Sequence, residues 1–241
     1  MCLFLIMIKL VIFDFGDTLS NAKKSNTIVH KMCPEIKVFK KHGYEFSKEG
    51  MIKAKEKTET LYRESDYLVQ QKDKYLYVKL LFSVLGINGN KDFFDECEKA
   101  FWDERISQTE LMPNAKETLK ELKSLGIKLA VITNTKSGHN KQVAEKTGIL
   151  NLFDEFIMTH EFGSVKSELK IFKHILEKFQ TIKAEECLMV GNNLNEDTAA
   201  KKIGMKTVIL RTNLCHNKLA EKIEPEYYIN NLKELLHIVK K

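Results

Sequence analysis

The sequence has few of the residues that break or staple a chain. Three prolines and eleven glycines in 241 residues leave too little turn-forming composition for a disordered or linker-dominated protein. The five cysteines (Cys2, Cys33, Cys97, Cys187 and Cys215) are odd in number and scattered, without a Cys-x-x-Cys pair. That excludes a disulfide framework or a zinc finger as the organising principle and reads as reduced thiols. Cys187 lies in an apolar run and reads as a buried structural thiol. Only three of the 39 basic residues are arginine, and the lysines are spread along helical stretches. Despite the net charge of +6, this is the pattern of a solvated surface. It carries no nucleic-acid footprint, although the modest positive field favours anionic substrates. No long hydrophobic run is present either. The apolar start, Met1 to Phe13, lacks a basic leader and a small-residue cleavage site, and Lys9 interrupts it before it is long enough to cross a bilayer. The expectation is a cytoplasmic protein with no membrane partner, in which Ile8–Phe13 is a buried first strand and Met7 a candidate start.

What the sequence does contain is alternation. Lys9-Leu-Val-Ile-Phe13 is a short apolar run closed by Asp14. Comparable runs follow at 127–132, 156–158, 187–190 and 207–210, with helical patterns near 114–125, 141–147, 169–180 and 197–203 between them. Pro113 and Gly126 are suitable start and stop signals for the first of those helices. Continuous apolar strands separated by helices predict an α/β fold, a Rossmann-like doubly wound parallel sheet with right-handed crossovers. The segment 226–229 followed by 232–236 reads as a last edge strand and helix. Between the first two strands lies a stretch rich in Lys and Glu, with apolar residues at helical spacing (Leu76, Leu80, Leu81, Val84, Leu85). It predicts a helical insertion over residues 23–105, set in a core made of 1–22 and 106–241. Ligands of open α/β sheets bind beyond the carboxyl ends of the strands, so the insertion is a candidate lid.

Polar residues follow the core strands repeatedly: Asp14 after the first, Thr133-Asn134 after the second, Lys166 in the loop after the third, and Gly191-Asn192 after the fourth. Parallel strands present the same end, so these residues converge on one crevice. Each also has an ordinary structural reading. Asp14 could cap a strand, Thr133 could be a turn hydroxyl, Asn134 a left-handed turn residue, Lys166 one more surface lysine, and Asp197 a helix N-cap.

In this order and spacing the segments resemble the haloacid dehalogenase-like superfamily, in the branch with an α-helical cap between its first two motifs. The resemblance covers nearly the whole chain. It rests on Val11-Ile-Phe-Asp-Phe-Gly-Asp-Thr-Leu19, Val131-Ile-Thr-Asn-Thr135, Lys166 with Ile171-Phe172, and Val190-Gly-Asn-Asn-Leu-Asn-Glu-Asp197 with Gly204-Met205. It implies a Mg²⁺-dependent phosphatase for a small phosphorylated metabolite. Asp14 would be the nucleophile that forms an aspartyl-phosphate, Lys166 the neutralising cation, and Thr133 the holder of a phosphoryl oxygen. Asn134 and Thr18 would bind substrate. The metal would be held by Asp14, the carbonyl of Gly16, Asn192 and Asp197, with Asp197 also a candidate support for Lys166. None of these motifs speaks to oligomeric state.

Two departures stand out. The position two residues after the nucleophile, an acid in phosphatases that resemble this chain, is Gly16, with Asp17 one residue later. General acid–base help of roughly 10²–10⁴-fold is at stake there. Asn192 stands where a metal-binding Asp is usual, so one formal charge is missing. These departures keep two other readings open. The first is a metal-free 2-haloacid dehalogenase, which also lacks the second acid and keeps a Thr at the position of Thr18. That reading requires a cap arginine, and none of Arg63, Arg105 and Arg211 lies shortly after Thr18. The second is a non-catalytic binding protein of the same fold, against which the retention of Asp14, Thr133 and Lys166 speaks.

Overall fold

The computed structural model describes residues 7–66, 70, 73–135, 138–212 and 223–240. Cys2, Cys215 and the first six residues of the apolar start lie outside them. The chain divides into two compact units, one of Met1–Asn21 with Glu110–Lys241 and one of Ala22–Thr109.

The first unit is built on a six-stranded sheet: β1 (Leu10–Phe13), β2 (Lys128–Thr133), β3 (Glu155–Met158), β4 (Cys187–Gly191), β5 (Lys206–Leu210) and β6 (Tyr227–Ile229). Every pairing is parallel and the order is β3-β2-β1-β4-β5-β6. All four residues of β1 are buried, because a central parallel strand is covered on both faces and has no polar side to show. Alternate residues serve different faces. Leu10, Ile12, Ala130, Ile132, Cys187 and Met189 pack with Ile171, Phe172 and Ile175 of a helix at Lys170–Lys178 and with Ala199 and Ala200. Val11, Phe13, Leu129, Val131, Leu188 and Val190 are buried on the other.

The predicted strands and the parallel α/β architecture are thus found. The segment read as a helix from Asp197 to Ile203 is instead a 3₁₀ turn, Thr198–Ile203, ended by Gly204 at φ 89°. Asp197 does not cap it, because its carboxylate is engaged elsewhere. Cys187 is a buried free thiol, as are Cys33 and Cys97.

The second unit is helical: α1 (Ala22–Met32), α2 (Glu35–Lys41), α3 (Lys48–Glu64), α4 (Leu76–Leu85) and α5 (Lys91–Gln108). Local chemistry sets the boundaries. Ser47 accepts from the Gly50 amide at 3.0 Å and Asn90 from the Phe93 amide at 3.0 Å, satisfying donors at the starts of α3 and α5. Gly86, in the left-handed region at φ 68°, ends α4. The core of this unit is aromatic, with Phe39 in contact with Phe46, Phe82 and Phe93, together with Met51, Val78 and Leu81. Among the described residues no helix is long and apolar enough to cross a membrane.

Candidate active site

The carboxyl ends of β1 and β4 are neighbours, and this is where the polar residues gather. Phe13 is in register with Val131 of β2 and Val190 of β4, and the Asp14 amide donates to the Val190 carbonyl at 2.8 Å. Asp14 therefore leaves the sheet between its two central neighbours. The chain then turns tightly: the amides of Leu19 and Ser20 both donate to the Phe15 carbonyl at 3.0 Å, and that of Asp17 to Ser20 at 2.7 Å. Asp17 takes φ 57°, a left-handed conformation that Asp tolerates better than most side chains. That geometry puts Gly16 and Asp17 in different backbone regions, so moving the acid by one residue does not reproduce its direction.

Lys166 is not a surface lysine. It is 1% exposed and lies in a short 3₁₀ turn, Lys166–Glu168. Its Nζ donates to Asp14 Oδ1 at 2.5 Å and to Asp197 Oδ1 at 2.7 Å. One ammonium thus joins the residue after β1 to the loop after β4. Asp197 is fully buried, and its other oxygen accepts from the Asn193 amide at 2.9 Å. Gly191 makes this arrangement possible, since a Cβ there would overlap the Asp197 carboxylate. Thr18 is also fully buried, with its hydroxyl 3.3 Å from both Asp14 Oδ2 and Asn192 Oδ1.

Burial pushes the Asp14 carboxyl up, to about 6, while the Lys166 ammonium pulls the other way and the Asp197 charge adds to the rise. Burial alone would lower the Lys166 ammonium, but Asp14 and Asp197 outweigh it and hold it above the ordinary lysine range. One cation between two carboxylates leaves the cluster with excess negative charge.

At the end of β2, Thr133 is 2% exposed and its Oγ1 accepts from Asn140 Nδ2 at 2.9 Å. Asn134 is not a left-handed turn residue. Its Oδ1 accepts from the Lys166 amide at 3.4 Å, and its Nδ2 is buried without a hydrogen-bond partner among the described residues. The structure therefore brings Asp14, Thr18, Lys166, Asn192 and Asp197 together through direct bonds and links Asn134 to Lys166. Two residues to which the sequence assigns no role of their own hold Thr133 and Asp197: Asn140 through its side chain, and Asn193, inside the Val190–Asp197 segment, through its main-chain amide. Nothing in the pattern distinguished them from ordinary polar residues of a helix and a turn.

The oxygen atoms of Asp14 and Asn192 that share the Thr18 hydroxyl are hard donors, the type Mg²⁺ takes. Among the described residues no group of three His, Cys, Asp or Glu could hold a metal. A cation here would draw on the Asp14 carboxylate and the Asn192 amide oxygen, a set that fits Mg²⁺ with fewer charges than an all-carboxylate site.

A sequence profile described as haloacid dehalogenase-like hydrolase matches residues 8–204. A glyceraldehyde 3-phosphate phosphatase of Methanocaldococcus jannaschii is 38% identical over 130 residues, 53% of this chain and 56% of that protein. The first curated relatives are matched over roughly half to two-thirds of their own length. Among solved structures, a HAD phosphatase from Thermococcus onnurineus aligns with a TM-score of 0.67 at 21% identity, covering 96% of this chain and 98% of that one. A 2-haloacid dehalogenase from Pseudomonas syringae aligns with a TM-score of 0.73 at 20% identity, covering 97% and 99%. These structural likenesses speak to fold alone, since one fold serves both chemistries. With the profile covering most of its length, the chain belongs to the haloacid dehalogenase-like hydrolases.

Proposed function

We propose that this protein is a Mg²⁺-dependent phosphatase acting on a small phosphate monoester, with Asp14 as nucleophile. The observation that carries the reading is the Lys166 ammonium held between Asp14 and Asp197 at the end of β1. A carboxylate that must approach an anionic phosphoryl group needs a fixed cation beside it, and here that cation is buried and doubly anchored. The phosphatase names of relatives matched over part of the chain support the same substrate class.

In this reading an Asp14 oxygen attacks phosphorus and the bond to the leaving alkoxide breaks. Water then attacks the phosphorus of the aspartyl-phosphate, releasing inorganic phosphate and restoring the carboxylate. Lys166 offsets the charge on Asp14 and on the phosphoryl oxygens. Thr18 holds the second Asp14 oxygen, and Thr133 and Asn134 donate to a phosphoryl oxygen. Asp14, the Gly16 carbonyl and Asn192 would hold Mg²⁺, which when bound supplies further neutralisation of the phosphoryl charge. Asp197 serves chiefly to position Lys166. With Gly16 in place of an acid, the alkoxide takes its proton from water, which favours substrates with good leaving groups.

The dehalogenase reading needs an arginine for a substrate carboxylate. Arg63 bonds Glu59 at 3.2 Å, while Arg105 and Arg211 lie over the Trp102 and Tyr228 rings, each 4.6 Å from the centroid. The test is hydrolysis of p-nitrophenyl phosphate with Mg²⁺ and with chelator, on wild type and Asp14→Asn. Mg²⁺-dependent release lost in the variant is expected. Turnover of 2-chloropropionate without metal, and none of the phosphate ester, would overturn the proposal.

A further inference from the structure

A threonine hydroxyl has one hydrogen to give and two lone-pair directions with which to accept. At Thr133 the accepting role is taken: Asn140, the second residue of the helix at His139–Lys146, donates its Nδ2 hydrogen to Thr133 Oγ1 at 2.9 Å. The hydroxyl hydrogen is thereby turned away from Asn140 and toward another acceptor. The neighbouring Asn134 is held in the same sense. Its oxygen accepts from the Lys166 amide, and its buried Nδ2 keeps its hydrogens for something else. Both side chains at the end of β2 therefore have their oxygens used as acceptors and their hydrogens left to donate. A fully ionised phosphoryl group, which only accepts, is the complement of such a pair.

We propose that Asn140 is a positioning residue for phosphoryl transfer. By donating to Thr133 Oγ1 it fixes the polarity of that hydroxyl, so that Thr133 gives its hydrogen to an equatorial phosphoryl oxygen. The proposal rests on the phosphatase reading above. Asn140 touches no reacting atom; it acts through Thr133.

The experiment is a double-mutant cycle with p-nitrophenyl phosphate and Mg²⁺, using Asn140→Ala, Asn140→Asp, Thr133→Val and the combined variants, with thermal midpoints recorded for each. Asn140→Ala is expected to lower kcat roughly tenfold with a smaller change in KM, the size expected for a hydrogen bond to a charged group. In the Thr133→Val background, where no hydroxyl remains to orient, it should have almost no further effect. Asn140→Asp offers only acceptors, so it should capture the Thr133 hydrogen and cost more than Asn140→Ala; that excess should shrink when Thr133 is Val. Equal losses in both backgrounds would overturn the proposal, because a merely structural Asn140 or a simple charge repulsion is indifferent to the hydroxyl. Wild-type activity in Asn140→Asp would also overturn it.

Inorganic phosphate affinity, measured by calorimetry on the same variants, separates the two claims. If wild type turns over and the two substitutions act additively, Asn140 is wrongly assigned and the phosphatase reading stands. If wild type binds phosphate without turnover and the affinities show the same non-additivity, the polarity assignment stands and the phosphatase reading falls. If wild type neither turns over nor binds phosphate, both are overturned.

Discussion

Among the described residues, each compact unit buries one lysine to 1% exposure, Lys166 in the α/β unit and Lys55 in the helical unit. Their surroundings differ. Lys55 reaches both oxygens of Glu35, at 2.8 and 3.0 Å, and lies 5.3 Å from the centroid of the Phe101 ring. That pair is balanced: one cation, one anion, each closed off, among the aromatic residues of the helical core. Lys166 serves two carboxylates, and one of them, Asp14, keeps part of its side chain exposed at the end of β1. A buried lysine alone therefore says little about chemistry, because a matched pair can do no more than tie α2 to α3. Unmatched charge, an exposed edge and a carboxylate held near 6 mark the site.

Substituting each lysine breaks the comparison open. Lys166→Met should lower kcat by about 10²–10³-fold, as expected when a preorganised transition-state contact is removed, measured with p-nitrophenyl phosphate on folded protein. Lys55→Met should instead destabilise the helical unit by about 3–5 kcal/mol, because Glu35 is left buried and unpaired. Urea unfolding checks this, and Lys55→Met with Glu35→Leu should recover most of the loss. If Lys55→Met alone destroyed turnover in protein that remains folded, the distinction between the two lysines would fail.

Gly191→Ala tests how the site cluster is held. The added methyl overlaps the Asp197 carboxylate, so Asp197 must shift and Lys166 with it. A loss of about 1–3 kcal/mol in stability is expected from overpacking, with a fall in activity. A Gly204→Ala control strains the chain at φ 89°, where the added methyl meets Ala184 and not the Asp197 carboxylate; equal loss of activity per folded molecule in both would argue against a specific role for Gly191.

A further effect concerns pH in the helical unit. Burial holds His30 down, to about 4 against an ordinary 6.5, with the Lys55 and Arg105 charges acting in the same direction. The neutral ring packs edge-on against Tyr77 and Phe101. Between pH 6.5 and 4 the unfolded chain binds the proton that the folded unit refuses, so stability is full above that window and falls as pH is lowered through it. His30→Phe should flatten this part of the stability–pH curve, and an unchanged slope would show that His30 is not the group responsible.

The sequence exposes most of the α/β fold because buried parallel strands carry no polar face. The runs ending at Phe13, Val190 and Leu210 are legible for that reason, and Tyr227–Ile229 is found as the edge strand expected near it. Asp14, Asn134 and Asn192 are legible because each follows the end of an apolar strand, whereas Lys166 lies in the loop beyond β3. What was hidden is set by distant partners. Lys55 resembles any other helical lysine until Glu35 is beside it, twenty residues away in the chain. Asn140 is one polar residue of a helix until Thr133 is beside it. Asp197 reads as a helix cap because its sequence position suits one, yet its oxygens meet Lys166 and the Asn193 amide.

In the proposed reaction Asp14 becomes covalently phosphorylated. Acid-quenching the protein during turnover of radiolabelled p-nitrophenyl phosphate, then mapping the labelled peptide, tests it most directly. A base-labile label is expected on the peptide that contains Asp14, absent in Asp14→Asn, whose turnover should fall by roughly 10⁴-fold or more, as for loss of a nucleophile. Turnover that continues in Asp14→Asn, with no acyl-phosphate trapped in wild type, would contradict it.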